Sequence, residues 1–281
     1  MSAPHAVDHL LDGPHGPLPI RIYSPPVSTR HGLVWAHGGG FAGGDLDMPE
    51  ADAVARAFAD RGILVVSVDY ALAPVTAEWT RRLRVPERNG VHYPVPHEEL
   101  VTAFRWASSS GLASDWAIGG ASAGGNLATG AALRLSHGTG PAPTLVALAY
   151  PTLQAVQDRP DAELRALLDA DPAADVFPPD FVHGMYTNYL GGDPALADVY
   201  AIPGTADPAA LAGFPPTIIV NDETDELRVS GEAFARSLKA AGVDVTAVVE
   251  PGTTHGHLNR PEEPAFIPTI ERFAAHIRRL A

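Results

Sequence analysis

The stretch Gly119-Gly120-Ala121-Ser122-Ala123-Gly124-Gly125-Asn126 decides how this chain is read. Strand-like, apolar Trp116–Gly119 leads into it, and the helical pattern of Gly125–Ser136 leads out. A serine two residues from a glycine on each side, at a strand-to-helix turn, is the sequence form of a nucleophile elbow. The turn lifts the hydroxyl above the sheet edge, and the glycines let backbone approach where a Cβ would clash. Gly/Ser strings are common in Ala/Gly-rich chains. The weight therefore falls on whether the rest of a hydrolase site follows in order.

Outward from the elbow, short β-rich apolar runs alternate with helical patterns. That alternation predicts a mostly parallel sheet with helices on both faces. Strands are read at Leu18–Tyr23, Leu33–Ala36, Ile63–Asp69, Trp116–Gly119, Leu145–Tyr150, Thr217–Asn221 and Val245–Glu250. The segment His5–Tyr23 reads as an antiparallel hairpin turning between Gly13 and Gly16. Helices are read at Pro49–Arg61, His97–Ser109, Gly125–Ser136, Val229–Ala241 and Glu262–Leu280. Gly62, Gly111, Gly138 and Gly242 stand where left-handed glycines should end four of them.

Two stretches break the alternation. Val75–Tyr93 interrupts a strand-to-helix connection and carries Arg81, Arg82, Arg84 and Arg88. Gln154–Asp193 holds helical pieces with Phe177, Phe181, Tyr186 and Tyr189. Connections this long inside a compact domain are often lids or binding loops. For the arginines the plain reading is a solvated surface loop. The aromatics read either as pocket lining or as packing on the core.

Composition narrows the function. The chain has 281 residues and is 46 % hydrophobic, enough for one large α/β domain with a buried core. No apolar run is long enough to span a bilayer, and the start lacks the pattern of a signal peptide, so a cytoplasmic location is expected. There is no cysteine, which excludes disulfides, thiolate metal sites and cysteine nucleophiles. The formal charge of −14 disfavours nucleic-acid phosphate and anionic membranes as partners.

Acyl transfer by serine needs a base to take the hydroxyl proton, an acid to orient the base, and donors where the oxyanion forms. His37-Gly38-Gly39-Gly40-Phe41 follows the strand Leu33–Ala36 and presents bare backbone N–H groups. Gly38 and Gly39, with Ala123 after the serine, are the candidate oxyanion donors. Gly38, Gly40 and Gly43 also spell a dinucleotide-binding spacing, with Asp69 ending the next strand. In that fingerprint the glycine turn should open directly into a helix, but here Gly43-Gly44-Asp45 intervenes and Pro49 marks the helix start. After the strand Thr217–Asn221 the chain reads Asp222-Glu223-Thr224-Asp225-Glu226, and by position Asp222, Glu223 and Asp225 all remain candidates for the acid. After the last strand, His255-Gly256-His257 offers a base. A metal held by His255 and His257 would lack an obvious third ligand. The order Ser…Asp…His is that of the α/β-hydrolases.

With these strings in place, the chain resembles the hormone-sensitive-lipase-like bacterial esterases from about Leu18 onward. The family's HGGGF is His37 to Phe41, and its D-Y-R-L-A-P appears as Asp69-Tyr70-Ala71-Leu72-Ala73-Pro74. Its G-D-S-A-G-G-N-L-A appears as Gly120 to Ala128. Aligning its G-E-x-Y on Gly231-Glu232-Ala233-Phe234 and counting back puts the acid at Asp225; its H-G-F falls on His255-Gly256-His257 and makes His255 the base. The resemblance implies an α/β-hydrolase fold, with a central, mostly parallel eight-stranded sheet in one domain over residues 1–281. It implies a serine carboxylesterase for short- to medium-chain acyl esters, with Ser122, Asp225 and His255 as the triad. No cofactor or metal is implied; the partner is a small-molecule ester, and family members often pair as homodimers. Amide or formamide hydrolysis by the same triad is the alternative activity. A non-catalytic receptor on this fold would lack a triad member. Three departures stand out: Ala121 occupies the family's acidic position, the segment ahead of His37 is short for a full N-terminal lid, and 75–93 has no clear counterpart. Segments 75–93 and 154–193 are therefore the candidate lid and pocket segments.

Overall fold

The computed structural model describes residues 5–83 and 85–279. Arg84 of the arginine cluster and Leu280, read as the last residue of the final helix, lie outside them. In chain order the strands are β1 (His5–Gly13), β2 (Gly16–Ser24), β3 (His31–Ala36), β4 (Leu64–Val68), β5 (Asp115–Ala121), β6 (Val146–Ala149), β7 (Thr217–Thr224) and β8 (Val245–Thr254). The helices are α1 (Asp52–Ala59), α2 (Ala77–Leu83), α3 (Val95–Ser109), α4 (Ala123–His137), α5 (Ala162–Ala170), α6 (Pro179–Leu190), α7 (Arg228–Ala240) and α8 (Phe266–Arg279). The strands form one sheet in the order β1-β2-β4-β3-β5-β6-β7-β8. β1 and β2 are the expected antiparallel hairpin, β2 meets β4 antiparallel, and from β4 through β8 all pairs are parallel.

Alternation along the strands sorts side chains to two apolar layers. On one face, Leu33 and Trp35 of β3 pack with Val65, Ala117 and Ala147 against Phe58 of α1 and Ile270 and Phe273 of α8. The Trp35 indole lies 6.0 Å from the Phe58 ring and 6.5 Å from that of Phe273, and its Nε1 donates to the Glu50 carbonyl at 2.9 Å. On the other face, Val34, Val66, Ile118, Leu148 and Ile219 meet Leu100 and Phe104 of α3, Leu127 of α4 and Phe234 of α7. Burial on both faces makes these central strands continuous apolar runs, as parallel sheets require.

This arrangement places the functional loops. β3 pairs with β4 on one side and β5 on the other, so the loops after β3 and β5 open side by side where the strand order reverses, the place where α/β sheets bind ligands. The loop after β3 does not open into a helix. It turns through Gly39, whose carbonyl accepts from Ala42 and Gly43, and α1 begins only at Asp52, which removes the dinucleotide reading.

Several boundaries differ from expectation. Gly62, Gly111 and Gly242 do adopt positive φ of 74° to 77°, but Gly138 is extended, with φ −91° and ψ −173°. Its N–H still donates to Leu135, and the chain leaves α4 without a left-handed residue there. The insertion 75–93 contains the short helix α2 and closes on itself through an antiparallel bridge between Val75 and Arg88. Arg81 is exposed, as a solvated loop requires. Arg88 instead donates through Nη2 to the Ala42 carbonyl at 2.5 Å, which ties the insertion to the loop after β3.

At Gly124, α4 approaches the end of β3 too closely to admit a side chain. A Cβ on Gly124 would lie 2.2 Å from the Ala36 carbonyl oxygen and 2.3 Å from that of His37. Both obstacles are backbone, so neither can rotate away. Gly124→Ala is expected to cost more than about 2 kcal/mol of stability, measurable as a lowered midpoint in urea denaturation.

Candidate active site

Ser122 sits between β5 and α4 with φ 50° and ψ −118°. A non-glycine residue held there stores roughly 1–3 kcal/mol of strain, which only a well-determined surrounding sustains. That surrounding is visible: its N–H donates to the Ala149 carbonyl at 2.9 Å, and its carbonyl accepts from Asn126 at 3.2 Å and Thr152 at 3.3 Å. Phe41 after β3 and Tyr150 after β6 also have positive φ, 64° and 35°. Strain is thus gathered at the ends of three neighbouring strands.

His255 follows β8 and Asp225 follows β7. His255 Nε2 lies 3.0 Å from Ser122 Oγ, and His255 Nδ1 lies 2.7 Å from Asp225 Oδ2. Asp225 is fully buried and also accepts from the Leu227 N–H at 2.9 Å. Burial works against a charged His255, but the Asp225 carboxylate, through its charge and hydrogen bond, raises the imidazole above its ordinary value. Asp222 and Glu50 add to that effect. The other acid left open by the sequence, Asp222, is turned to a different histidine, His257. Glu223 accepts from the Gly252 N–H at 2.8 Å, away from the serine.

The candidate oxyanion donors divide. Gly38 corrects the expectation: its N–H is directed at Glu50 Oε2, 2.5 Å away, and so is turned from the cavity. Gly39 and Gly40 line the cavity beside Ser122, and their N–H groups have no hydrogen-bond partner among the described residues. Ala123 opens α4, where the first amides lack acceptors within the helix.

Glu50 is the residue that sequence reasoning missed, because it reads there as part of a helix start. It is 1 % exposed. Besides Gly38, it accepts from the Tyr150 hydroxyl at 2.6 Å and the Asn259 amide at 3.0 Å, both through Oε1. Burial pushes its carboxyl up, and the hydrogen bonds from Tyr150 and Gly38 oppose that shift. The signal available in sequence was an acid just past a glycine loop at a strand end, which is too common to single out.

Above the serine lies a cavity of about 600 Å3. Its apolar wall is Met48, Trp79, Val176, Phe177, Phe181 and Met185. Phe177 meets the His255 ring edge-on at 4.4 Å, and Trp79 of α2 packs edge-on to Phe181 at 5.2 Å. Both unassigned stretches therefore reach the cavity. Tyr186 and Tyr189 do not: they pack beneath it on Phe41, with the Tyr189 ring stacked at 4.0 Å.

Comparisons with known proteins agree with the fold. A family model described as alpha/beta hydrolase fold matches residues 33–78 and 85–259. Carboxylesterase NlhH of Mycobacterium tuberculosis is 35 % identical over 253 residues, 86 % of this chain and 72 % of that protein. Esterase LipI of the same organism is 32 % identical over 266 residues, 90 % of this chain and 74 % of that protein. Among solved structures, an esterase of Pyrobaculum calidifontis superposes with a TM-score of 0.81 at 28 % identity, covering 98 % of this chain and 86 % of that one. Among the described residues no helix is long and apolar enough to cross a membrane.

The wall at Phe177 rests on a carboxyl pair. The Phe177 N–H donates to Glu226 Oε2, and Glu226 is hydrogen-bonded in turn to Asp175, which Arg165 pairs at 2.7 Å. Burial, then the Asp175 carboxyl, push Glu226 up to about 8 from an ordinary 4.5. The folded chain keeps this proton between pH 4.5 and about 8, where the unfolded chain has lost it, so stability falls as pH rises through that window. The melting temperature should decline from pH 5 to 8 more steeply in the wild type than in Glu226→Gln, whose amide keeps a donor at all pH values.

Proposed function

We propose that this chain, which belongs to the hormone-sensitive-lipase-like class of the alpha/beta hydrolase family matched at residues 33–78 and 85–259, is a serine carboxylesterase for short- to medium-chain acyl esters. The observation that carries the reading is the unbroken hydrogen-bonded run from buried Asp225 through His255 to Ser122 Oγ, which opens into a cavity with an apolar wall.

Ser122 Oγ attacks the ester carbonyl while His255 Nε2 takes its proton. The tetrahedral oxyanion is held by the N–H groups of Gly39, Gly40 and Ala123, and each such donor is worth ~3 kcal/mol in the transition state. Collapse breaks the carbon–oxygen bond to the alcohol, which leaves with the proton from His255. Water, deprotonated by His255, then attacks the acyl-enzyme and returns Ser122 as the acid departs. Asp225 keeps the Nδ1 proton in place and stabilises the imidazolium as it forms. Gly38 serves indirectly, by fixing the loop through Glu50.

The segments 75–93 and 154–193 shape the acyl pocket through Trp79, Phe177 and Phe181. Their rings form an apolar wall against which an acyl chain can pack, opposite the polar edge at Asn259 and Arg260.

Ser122→Ala is expected to lower kcat on p-nitrophenyl butyrate by at least about 10⁴-fold, and Asp225→Asn by about 10⁴-fold, with unchanged circular dichroism. Wild-type turnover in a folded Ser122→Ala protein would end the reading. Trp79→Ala opens one end of the pocket. The octanoyl-to-butyryl ratio of kcat/KM should rise about tenfold in that variant, read from an acyl-chain series at fixed pH.

A further inference from the structure

Beside the proposed triad stands a second imidazole–carboxylate pair that the mechanism above does not use. Where the family's H-G-F string has phenylalanine, this chain has His257, fully buried. Its Nδ1 meets Asp222 Oδ1, and its Nε2 lies 3.0 Å from the hydroxyl of Thr269 on α8. That hydroxyl lies 3.3 Å from Glu250 Oε2, which Arg272 reaches at 3.4 Å. Asp222 is fully buried, and its other oxygen, Oδ2, has no hydrogen-bond partner among the described residues.

A buried carboxylate with one oxygen unsatisfied is costly unless positive charge stands close by. A carboxylate oxygen of Asp222 lies within 4.8 Å of a ring nitrogen of His255 and of a carboxylate oxygen of Asp225. The Tyr150 ring stands edge-on to both imidazoles, 5.0 Å from His255 and 5.3 Å from His257. His255 therefore has two carboxylates within reach, one bonded to it and one held just behind by His257.

We propose that Asp222 and His257 are positioning residues for ester hydrolysis: His257 holds the Asp222 carboxylate as a second negative charge near His255, so that the imidazolium formed during turnover is stabilised by two carboxylates. The proposal takes its catalytic meaning from the esterase reading, but its electrostatic part does not. The other groups facing His255 are Asp225, Glu50 and Tyr150, with the Arg260 guanidinium 3.4 Å from its carbonyl. Burial pushes the Asp222 carboxyl up, while the hydrogen bond and charge of His257 and the charge of His255 hold it down. Removing Asp222 takes away an anion and should make His255 harder to protonate.

The test follows the His255 ring by NMR titration, its resonance identified by loss in His255→Gln, alongside the acid limb of kcat/KM for p-nitrophenyl butyrate. Asp222→Asn keeps the side-chain shape, and the double variant Asp222→Ala/His257→Phe removes the pair and restores the family's phenylalanine. In each folded variant both the titration midpoint and the acid limb should move to lower pH by about one unit. A midpoint unchanged in a folded variant overturns the proposal. So does failure of both variants to fold, which would make the pair a part of the core alone. The titration needs no substrate, so a shifted midpoint in a protein that hydrolyses no ester would sink the esterase reading and leave the electrostatic coupling standing.

Discussion

The site depends on the buried carboxylate of Glu50. Its two oxygens collect the Gly38 N–H from the loop after β3, the Tyr150 hydroxyl from the end of β6, and the Asn259 amide from the loop that carries His255. Three separate chain segments are thereby fixed to one point. Gly38 spends its N–H on this anchor, and Gly39 and Gly40 are left facing the cavity. Apolar packing could hold the strands beneath, but it is not directional enough to hold three loops at hydrogen-bonding distance. A charged acceptor with three donors is, and burial sharpens each of those bonds by lowering the local dielectric.

Backbone strain is distributed accordingly. Phe41, Ser122 and Tyr150 each take a positive φ, and each is pinned by something stiff. Phe41 is clamped by the stacked Tyr189 ring, Ser122 by the Ala149 carbonyl and the start of α4, and Tyr150 by Glu50. The close approach of Gly124 to Ala36 and His37 supplies the rigid floor. The elbow keeps its strained conformation because the helix behind it has no room to relax.

Much of this was legible in the sequence. Strand positions followed from β-rich runs set between glycine-ended helices, and the central parallel pairs came out where the apolar runs lay. The serine elbow, the glycine loop and the late histidine could be read because each requires small residues at fixed spacing, a demand visible in one dimension. The acid could not be chosen by position, because Asp222 near the end of β7 and Asp225 just after it are both buried and both face imidazoles. The family resemblance chose Asp225, and the three-dimensional pairing, Asp225 with His255 and Asp222 with His257, gives the physical distinction. The direction of the Gly38 N–H was equally invisible, since a peptide plane's orientation is set by its distant acceptor, Glu50. Gly138 shows the converse: a glycine in the right place need not take the left-handed conformation when extended backbone also satisfies its N–H.

The pocket obeys a different logic from the floor. Below the serine, contacts are backbone and carboxylate; above it, they are rings supplied by two stretches that broke the α/β alternation. Trp79 comes from a segment, 79–84, that lies outside the family pattern, yet its ring closes against Phe181 of α6. Arg88 fastens the same insertion to the loop after β3. The insertion therefore cannot move without disturbing Ala42 and, through the Gly39 turn, the wall beside Ser122. The shape of the acyl pocket and the geometry of the oxyanion loop are mechanically linked in this chain. A change in one segment of the pocket should reach the reacting centre through backbone hydrogen bonds even where no pocket side chain touches the serine.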